Sequence, residues 1–182
     1  MSEKYKVRNP EGLYFITCTV IDWVDLLTRP DYKQVIIGSL KHCQKNKGLQ
    51  VHAFVIMSNH FHAILSSTQT PLNDIIRDLK KFTTKEFIKT IVGINESRRV
   101  WLLKKFSFAA NRIKRAENYK IWKDGFHPIE LTDMEMAWQK LDYIHMNPVK
   151  DMIVLEPQHY YFSSAAFYQN EDNGLLPITP IV

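Results

Sequence analysis

The stretch from Val51 to Leu65 reads Val-His-Ala-Phe-Val-Ile-Met-Ser-Asn-His-Phe-His-Ala-Ile-Leu. It is apolar and β-rich on both sides of a polar Ser58-Asn59 step. That is the pattern of two buried strands joined by a tight connection and paired antiparallel. Side chains on a strand alternate faces, so His60 and His62 leave one side of the second strand and Phe61 leaves the other. A lone histidine on a strand is usually structural. Two imidazoles at neighbouring same-face positions of a rigid, otherwise apolar strand can share one metal ion or serve catalysis.

Outward from this hairpin, Leu13–Val20 follows the turn signal Pro10-Glu11-Gly12 and predicts a first strand. A helix is predicted from Thr28-Arg29-Pro30-Asp31 to about Asn46, with Tyr32, Val35, Ile36, Leu40 and Cys43 at helical spacing and Lys47-Gly48 as its stop. After the hairpin, Pro71 suits the first turn of a helix whose apolar face is Leu72, Ile75, Ile76, Leu79, Phe82, Thr83, Phe87 and Ile91, ending near Gly93. Arg98–Arg115 predicts a basic helix, and Ile121–Leu131 an extended segment interrupted by Gly125 and Pro128. Thr132 and Glu135 have the spacing of a capping box. The helix they would start has Met134, Ala137, Trp138, Leu141 and Ile144 as core candidates, and Pro148 predicts its end near Met146 or Asn147. This order of elements predicts the α+β class: a ferredoxin-like split βαβ fold with an antiparallel central sheet, helices on one face, extra helices and a C-terminal tail. At 182 residues one domain is expected over 1–182, with a core over about 13–150 and an extension over 151–182.

Composition narrows the function. Cys18 and Cys43 lack metal-type spacing and read as reduced core thiols. The N-terminal Ser2-Glu3-Lys4-Tyr5-Lys6 is polar, and no apolar run reaches transmembrane length, so no membrane partner and a cytoplasmic location are expected. The net charge of +5 is unevenly placed: residues 77–123 hold fourteen Lys and Arg against four Asp and Glu, leaving the remainder net acidic. A charge run is often only a solvated helix face. With Phe82, Trp101, Phe106, Phe108 and Tyr119 interleaved, it also suits a phosphate-rich partner, nucleic acid foremost. Lys80, Lys81, Lys85, Arg98, Arg99, Lys104, Lys105, Arg112, Lys114 and Arg115 are the candidate DNA-binding residues, and Trp101 or Tyr119 could stack unpaired bases.

The last predicted helix carries a second chemical pair. Tyr143 and Asn147 are four residues apart and share a helix face, away from the apolar stripe. A phenol can attack phosphorus, and an amide oxygen can complete a metal shell. Taken alone, Tyr143 could equally cap the core and Asn147 merely end the helix.

Met57-Ser58-Asn59-His60-Phe61-His62-Ala63-Ile64-Leu65 together with Tyr143-Ile144-His145-Met146-Asn147-Pro148-Val149-Lys150 resembles the single-tyrosine HUH transposases. Within them the likeness is to the REP-associated tyrosine transposases, and it spans about Leu13 to Ser164. Trp122–His127 and Tyr161–Ser164 also resemble patterns of that group, with Lys150 where arginine is common and Phe162 where tryptophan is common. The resemblance implies a DNA transposase in which Tyr143 attacks the scissile phosphate, forms a 5′-phosphotyrosine link and releases a 3′-hydroxyl. It implies that His60, His62 and Asn147 hold a divalent metal, Mg2+ or Mn2+; two imidazoles sit more easily with manganese than with magnesium. It implies single-stranded or hairpin DNA as partner, handled by a monomer or by a homodimer that exchanges the Tyr143 helix. Two other readings stand beside it: a domesticated or inactive nucleic-acid-binding protein of the same fold, and a metal-dependent phosphodiester hydrolase. One geometric requirement follows: the face bearing His60 and His62, opposite Phe61, must meet the Tyr143 face of the last helix.

Overall fold

The computed structural model describes residues 7–112, 118–170 and 174–181. Four strands, β1 (Tyr14–Thr19), β2 (Leu49–Ile56), β3 (His60–Ser67) and β4 (Ile129–Glu130), form one antiparallel sheet in the order β2-β3-β1-β4. That is the expected split βαβ arrangement: β3, joined to β2 by Ser58-Asn59, lies between β2 and β1. Helix α1 (Pro30–Lys47) connects β1 to β2, and α2 (Leu72–Gly93) follows β3. Gly48 ends α1 in the left-handed conformation at φ 69°. A Cβ there would approach the Thr68 and Gln69 side chains to within 2.7–2.9 Å, so only glycine fits this turn.

The register decides which residues share a face. Thr17 lies opposite His62 and Thr19 opposite His60, with Val55 on the far side of His62. On the other face Phe61 lies between Cys18 and Ile56. Phe61 meets the Trp122 ring edge-on at 5.8 Å, and Trp122 in turn meets Phe87 of α2. Phe87 packs on Tyr32 of α1, so α1 and α2 form the layer over the Phe61 face. Helix α4 (Met134–Lys150) lies across the opposite face, where Tyr143 meets Phe15 of β1 and His62 of β3. Helix α3 (Arg99–Asn111) packs beside α2. Cys18 and Cys43 are buried free thiols, and no described helix is long and apolar enough to cross a membrane.

The outer edge of β2 is covered by the C-terminal segment. Ile56 donates its amide to the Phe162 carbonyl, Ser164 to Phe54 and Thr179 to Val51. The Tyr160 hydroxyl donates to the Ile56 carbonyl, and the buried Lys33 ammonium donates to that hydroxyl at 2.6 Å. The short α5 (Ala165–Tyr168) brings the Tyr168 hydroxyl to the His52 carbonyl.

Three expectations about α4 are corrected. Its N-cap is Asp133, whose Oδ1 accepts from the Met136 amide at 2.8 Å, and not Thr132. A carboxylate beside free amides at a helix start adds charge to the capping bond. Met134 and Trp138 are exposed; the buried stripe is Ala137, Leu141, Ile144, His145 and Pro148, because the helix is rotated to put these on the sheet. Pro148 does not end the helix, which runs to Lys150. A proline here removes one N–H bond to the carbonyl four residues back, while Pro148 itself is buried. The basic helix expected over Arg98–Arg115 is shorter, running Arg99–Asn111 with Arg112 as its C-cap, and residues 113–117 fall outside the described residues.

Phe61 is fully buried, so Phe61→Ala should destabilise the protein by about 3–5 kcal/mol. Equilibrium urea unfolding checks this as a lowered midpoint at unchanged slope.

Candidate active site

His60 and His62 stand on the α4 side of β3 with ring centroids 4.6 Å apart. Each has one ring nitrogen occupied by a neighbour. Thr17 Oγ1 lies 2.8 Å from His62 Nδ1, a pairing created by the β1–β3 register. Asn59 Oδ1 lies 2.7 Å from His60 Nδ1, and the Asn59 amide NH2 donates to Asp25 Oδ1 at 2.9 Å. Because Asp25 takes the amide protons, the oxygen of Asn59 faces His60 and accepts its Nδ1–H. His60 Nε2 is thereby left with its lone pair, the state a metal ligand needs. Asp25 also receives the Ser58 hydroxyl at 2.7 Å, so the whole Ser58-Asn59 connection is tied down at the first imidazole.

Burial lowers the proton affinity of both rings. For His62 burial dominates, helped by His60 and Lys140 and opposed by the Ile16 carbonyl, and the pKa falls to about 3. For His60 burial lowers the pKa and the Asp151 carboxylate partly opposes it. Both imidazoles are therefore neutral near pH 7.

Helix α4 supplies the second half. The Tyr143 ring meets His62 edge-on at 5.2 Å, and the residue is 40% exposed, so the side chain is partly open to solvent. The geometric requirement read from the sequence is met: the His60/His62 face, not the Phe61 face, turns to this helix. Lys150 Nζ lies 5.5 Å and Lys140 Nζ 5.6 Å from the Tyr143 ring centroid. They give this corner a positive field suited to a phosphodiester. Asn147 is buried, one turn beyond Tyr143, which touches His62, and one turn before Asp151, whose charge reaches His60. Asn147 lies on the helix face that carries Tyr143.

Among the described residues, no three His, Cys, Asp and Glu side chains group closely enough to hold a metal ion. The residues that could hold one are His60 and His62, as neutral imidazoles, with the Asn147 amide on the facing helix.

The candidate DNA-binding residues divide. Lys80 donates to the Lys123 and Gly125 carbonyls. Arg98 binds the Asp25 carbonyl, Thr28 and Glu96, and Arg99 caps the end of α2 through the Ile91 and Ile94 carbonyls. Lys105 pairs with Asp22 at 2.8 Å, and Arg112 stacks on Phe108. Lys81, Lys85 and Lys104 are exposed on α2 and α3. Lys114 and Arg115 lie outside the described residues. Sequence reasoning passed over Thr17, Asp25, Asn59, Lys140, Asp151 and Trp23, whose ring meets His60 edge-on at 6.2 Å. Only Asn59, adjoining His60, carried a local signal.

A family model described as "Transposase IS200 like" matches residues 14–111, a span that includes His60 and His62. The structure superposes with a TM-score of 0.67 on that of a REP-associated tyrosine transposase bound to a REP hairpin, at 20% sequence identity, covering all of this chain and 92% of the other. At that identity the likeness is one of fold. A crystal structure of a candidate transposase from Deinococcus radiodurans R1 aligns at a TM-score of 0.43 and 13% identity, over 78% of this chain and 95% of the other. No curated protein sequence matches.

Nitrogen-15 NMR of the imidazoles tests the hydrogen-bond scheme. His60 should carry its proton on Nδ1 at neutral pH, and Asn59→Ala should turn it into a mixture of tautomers. Because burial depresses its pKa, His62 should remain uncharged on acidification and take up a second proton only near pH 3.

Proposed function

Because the chain belongs to the IS200-like transposase family, we propose that it cleaves and rejoins single-stranded DNA beside hairpins, using Tyr143 as the nucleophile. The observation that carries this reading is the seating of Tyr143 against His62, on the one sheet face where two imidazoles are presented together. The Tyr143 oxygen attacks phosphorus, an O–P bond forms, and the bond from phosphorus to the 3′ oxygen breaks. The phenol gives up its proton and the departing 3′ oxygen takes one up. The product is a 5′-phosphotyrosine and a free 3′-hydroxyl. Attack of a 3′-hydroxyl on that link reverses the bond changes and frees Tyr143. The phosphodiester energy is conserved in the link, so no nucleotide hydrolysis is required.

His60 and His62 through Nε2, with the Asn147 amide oxygen, would hold Mg2+ or Mn2+. A bound divalent ion supplies charge stabilisation at the phosphate oxygens. Thr17 and Asn59 keep the imidazoles aimed, Lys140 and Lys150 attract the phosphate, and Phe15 supports the Tyr143 ring from β1 at 5.8 Å. Hairpin DNA as the substrate is supported by the REP hairpin bound to the structural relative. Tyr143 meets His62 of its own chain, which supports a site complete in a monomer. We read the 182 residues as one catalytic domain, since a contiguous core runs from Tyr14 to Ile181.

Incubation with labelled hairpin DNA and Mn2+, followed by a denaturing gel, should show a covalent protein–DNA adduct that is lost on chelation and in Tyr143→Phe. Cleavage that survives Tyr143→Phe without an adduct would overturn the transferase in favour of a hydrolase. Thr17→Val and Asn59→Ala should each slow adduct formation by about 10–100-fold, the usual effect of removing a partner that aims a metal-binding histidine.

A further inference from the structure

Beyond His60 the chain displays two exposed tryptophans, Trp23 and Trp101, that line one cleft. Ile21–Trp23 forms a single 3₁₀ turn directly after β1, in which Asp22 and Trp23 both take left-handed backbone conformations, φ 51° and 55°. Two successive non-glycine residues in that region persist only when their surroundings hold them. Here the turn is held by the Ile21 amide on the Ile121 carbonyl, the Val24 amide on Ile21, and the Asp22–Lys105 ion pair. The result is an indole 57% exposed whose ring makes a T-shaped contact with His60.

Trp23 lines an open cleft of about 510 Å³ with Trp101 of α3, itself 50% exposed. Lys123 stands 5.0 Å over the Trp23 ring and lines a neighbouring hollow, not this cleft. The cations of the cleft are already engaged, Lys105 by Asp22 and Arg98 by the Asp25 carbonyl, Thr28 and Glu96. What the cleft offers is two exposed aromatic surfaces. Its fitting occupant is a planar aromatic ligand, not a bare phosphate.

Position along the sheet identifies which one. Reading along β1 and β3, Tyr143 sits at Phe15 and His62, then comes His60 opposite Thr19, and Trp23 lies just past the end of β1. Displacement at phosphorus is in line, so the departing 3′ oxygen lies on the side of the phosphate away from Tyr143. On the strand-transfer reading given above, which this rests on, that side is the Trp23 side. We infer that the Trp23–Trp101 cleft stacks the unpaired base of the leaving nucleotide, the one whose 3′-hydroxyl is released. Stacking there keeps that strand end beside the phosphotyrosine for rejoining.

The test is a binding titration without metal, using hairpin DNA with a single-stranded flank in which each flank nucleotide in turn is made abasic. One position should weaken binding at least about fivefold, the smaller end of the range for a stacked base, and it should be the nucleotide 5′ of the mapped cleavage point. Trp101→Ala should abolish that penalty and Trp101→Phe should retain most of it; Trp23→Ala, at an exposed position, should act like Trp101→Ala. A penalty that persists in both alanine variants, or one that falls on no single flank position, overturns the cleft while leaving the Tyr143 adduct assay untouched. If the penalty appears and depends on Trp101 but no adduct ever forms, the base site stands and the strand-transfer reading fails.

Discussion

Phe61 is pinned between Cys18 and Ile56 on the face that α1 and α2 cover, and with it the direction of the residues on either side is decided. Because side chains alternate along a strand, seating this one phenyl ring against Trp122 delivers His60 and His62 together to the opposite face. A slip of one residue would expose the phenyl group and drive two imidazoles into the apolar layer. The irregularity at His52, where the β2–β3 register shifts between Val51 and Ala53, absorbs an extra residue far from the histidines. His52 itself is anchored there, its Nε2 bonded to Ser66. The imidazole pair is thus a consequence of core packing one layer away.

Much of this was legible in the chain, and the reasons differ by element. The β2–β3 hairpin, α1 and α2 announce themselves through periodicity and a glycine stop, both local properties. The two halves of the candidate site were legible as unusual residue spacings: His-Phe-His on a strand, and Tyr143 one turn from Asn147. What escaped was set by distance in sequence. Asp25 meets Asn59, and Trp23 meets His60, only because β1 lies beside β3; nothing near Trp23 indicates that its turn ends at a histidine. The exposure of Trp138 escaped for a related reason: a helix with apolar residues on two sides can be rotated either way, and the sheet chose Leu141 and Ile144. Pro148 misled because its penalty is one hydrogen bond, which burial of the ring can offset.

Charge shows the same gap between inventory and use. Residues 77–123 are the basic part of the chain, yet Lys80, Arg98, Arg99 and Lys105 are turned on backbone carbonyls and carboxylates that hold the loops and helix ends around the site. The cations nearest Tyr143 are Lys140 and Lys150, which come from α4 and belong to the part of the sequence whose net charge is negative. Local field at the candidate site is therefore built by helix phase, with 140, 143, 147 and 150 on one face, more than by regional composition.

The C-terminal segment closes over β2 from Phe54 to Ile56 and again at Val51, so the longest edge of the sheet has no row of open amides and carbonyls. The opposite edge ends in a strand of two residues. A sheet bounded in this way offers little template for another chain to extend it. Self-association by strand addition is disfavoured on both sides, and a nucleic-acid strand lying over the imidazole face would not compete with protein aggregation for the same surface.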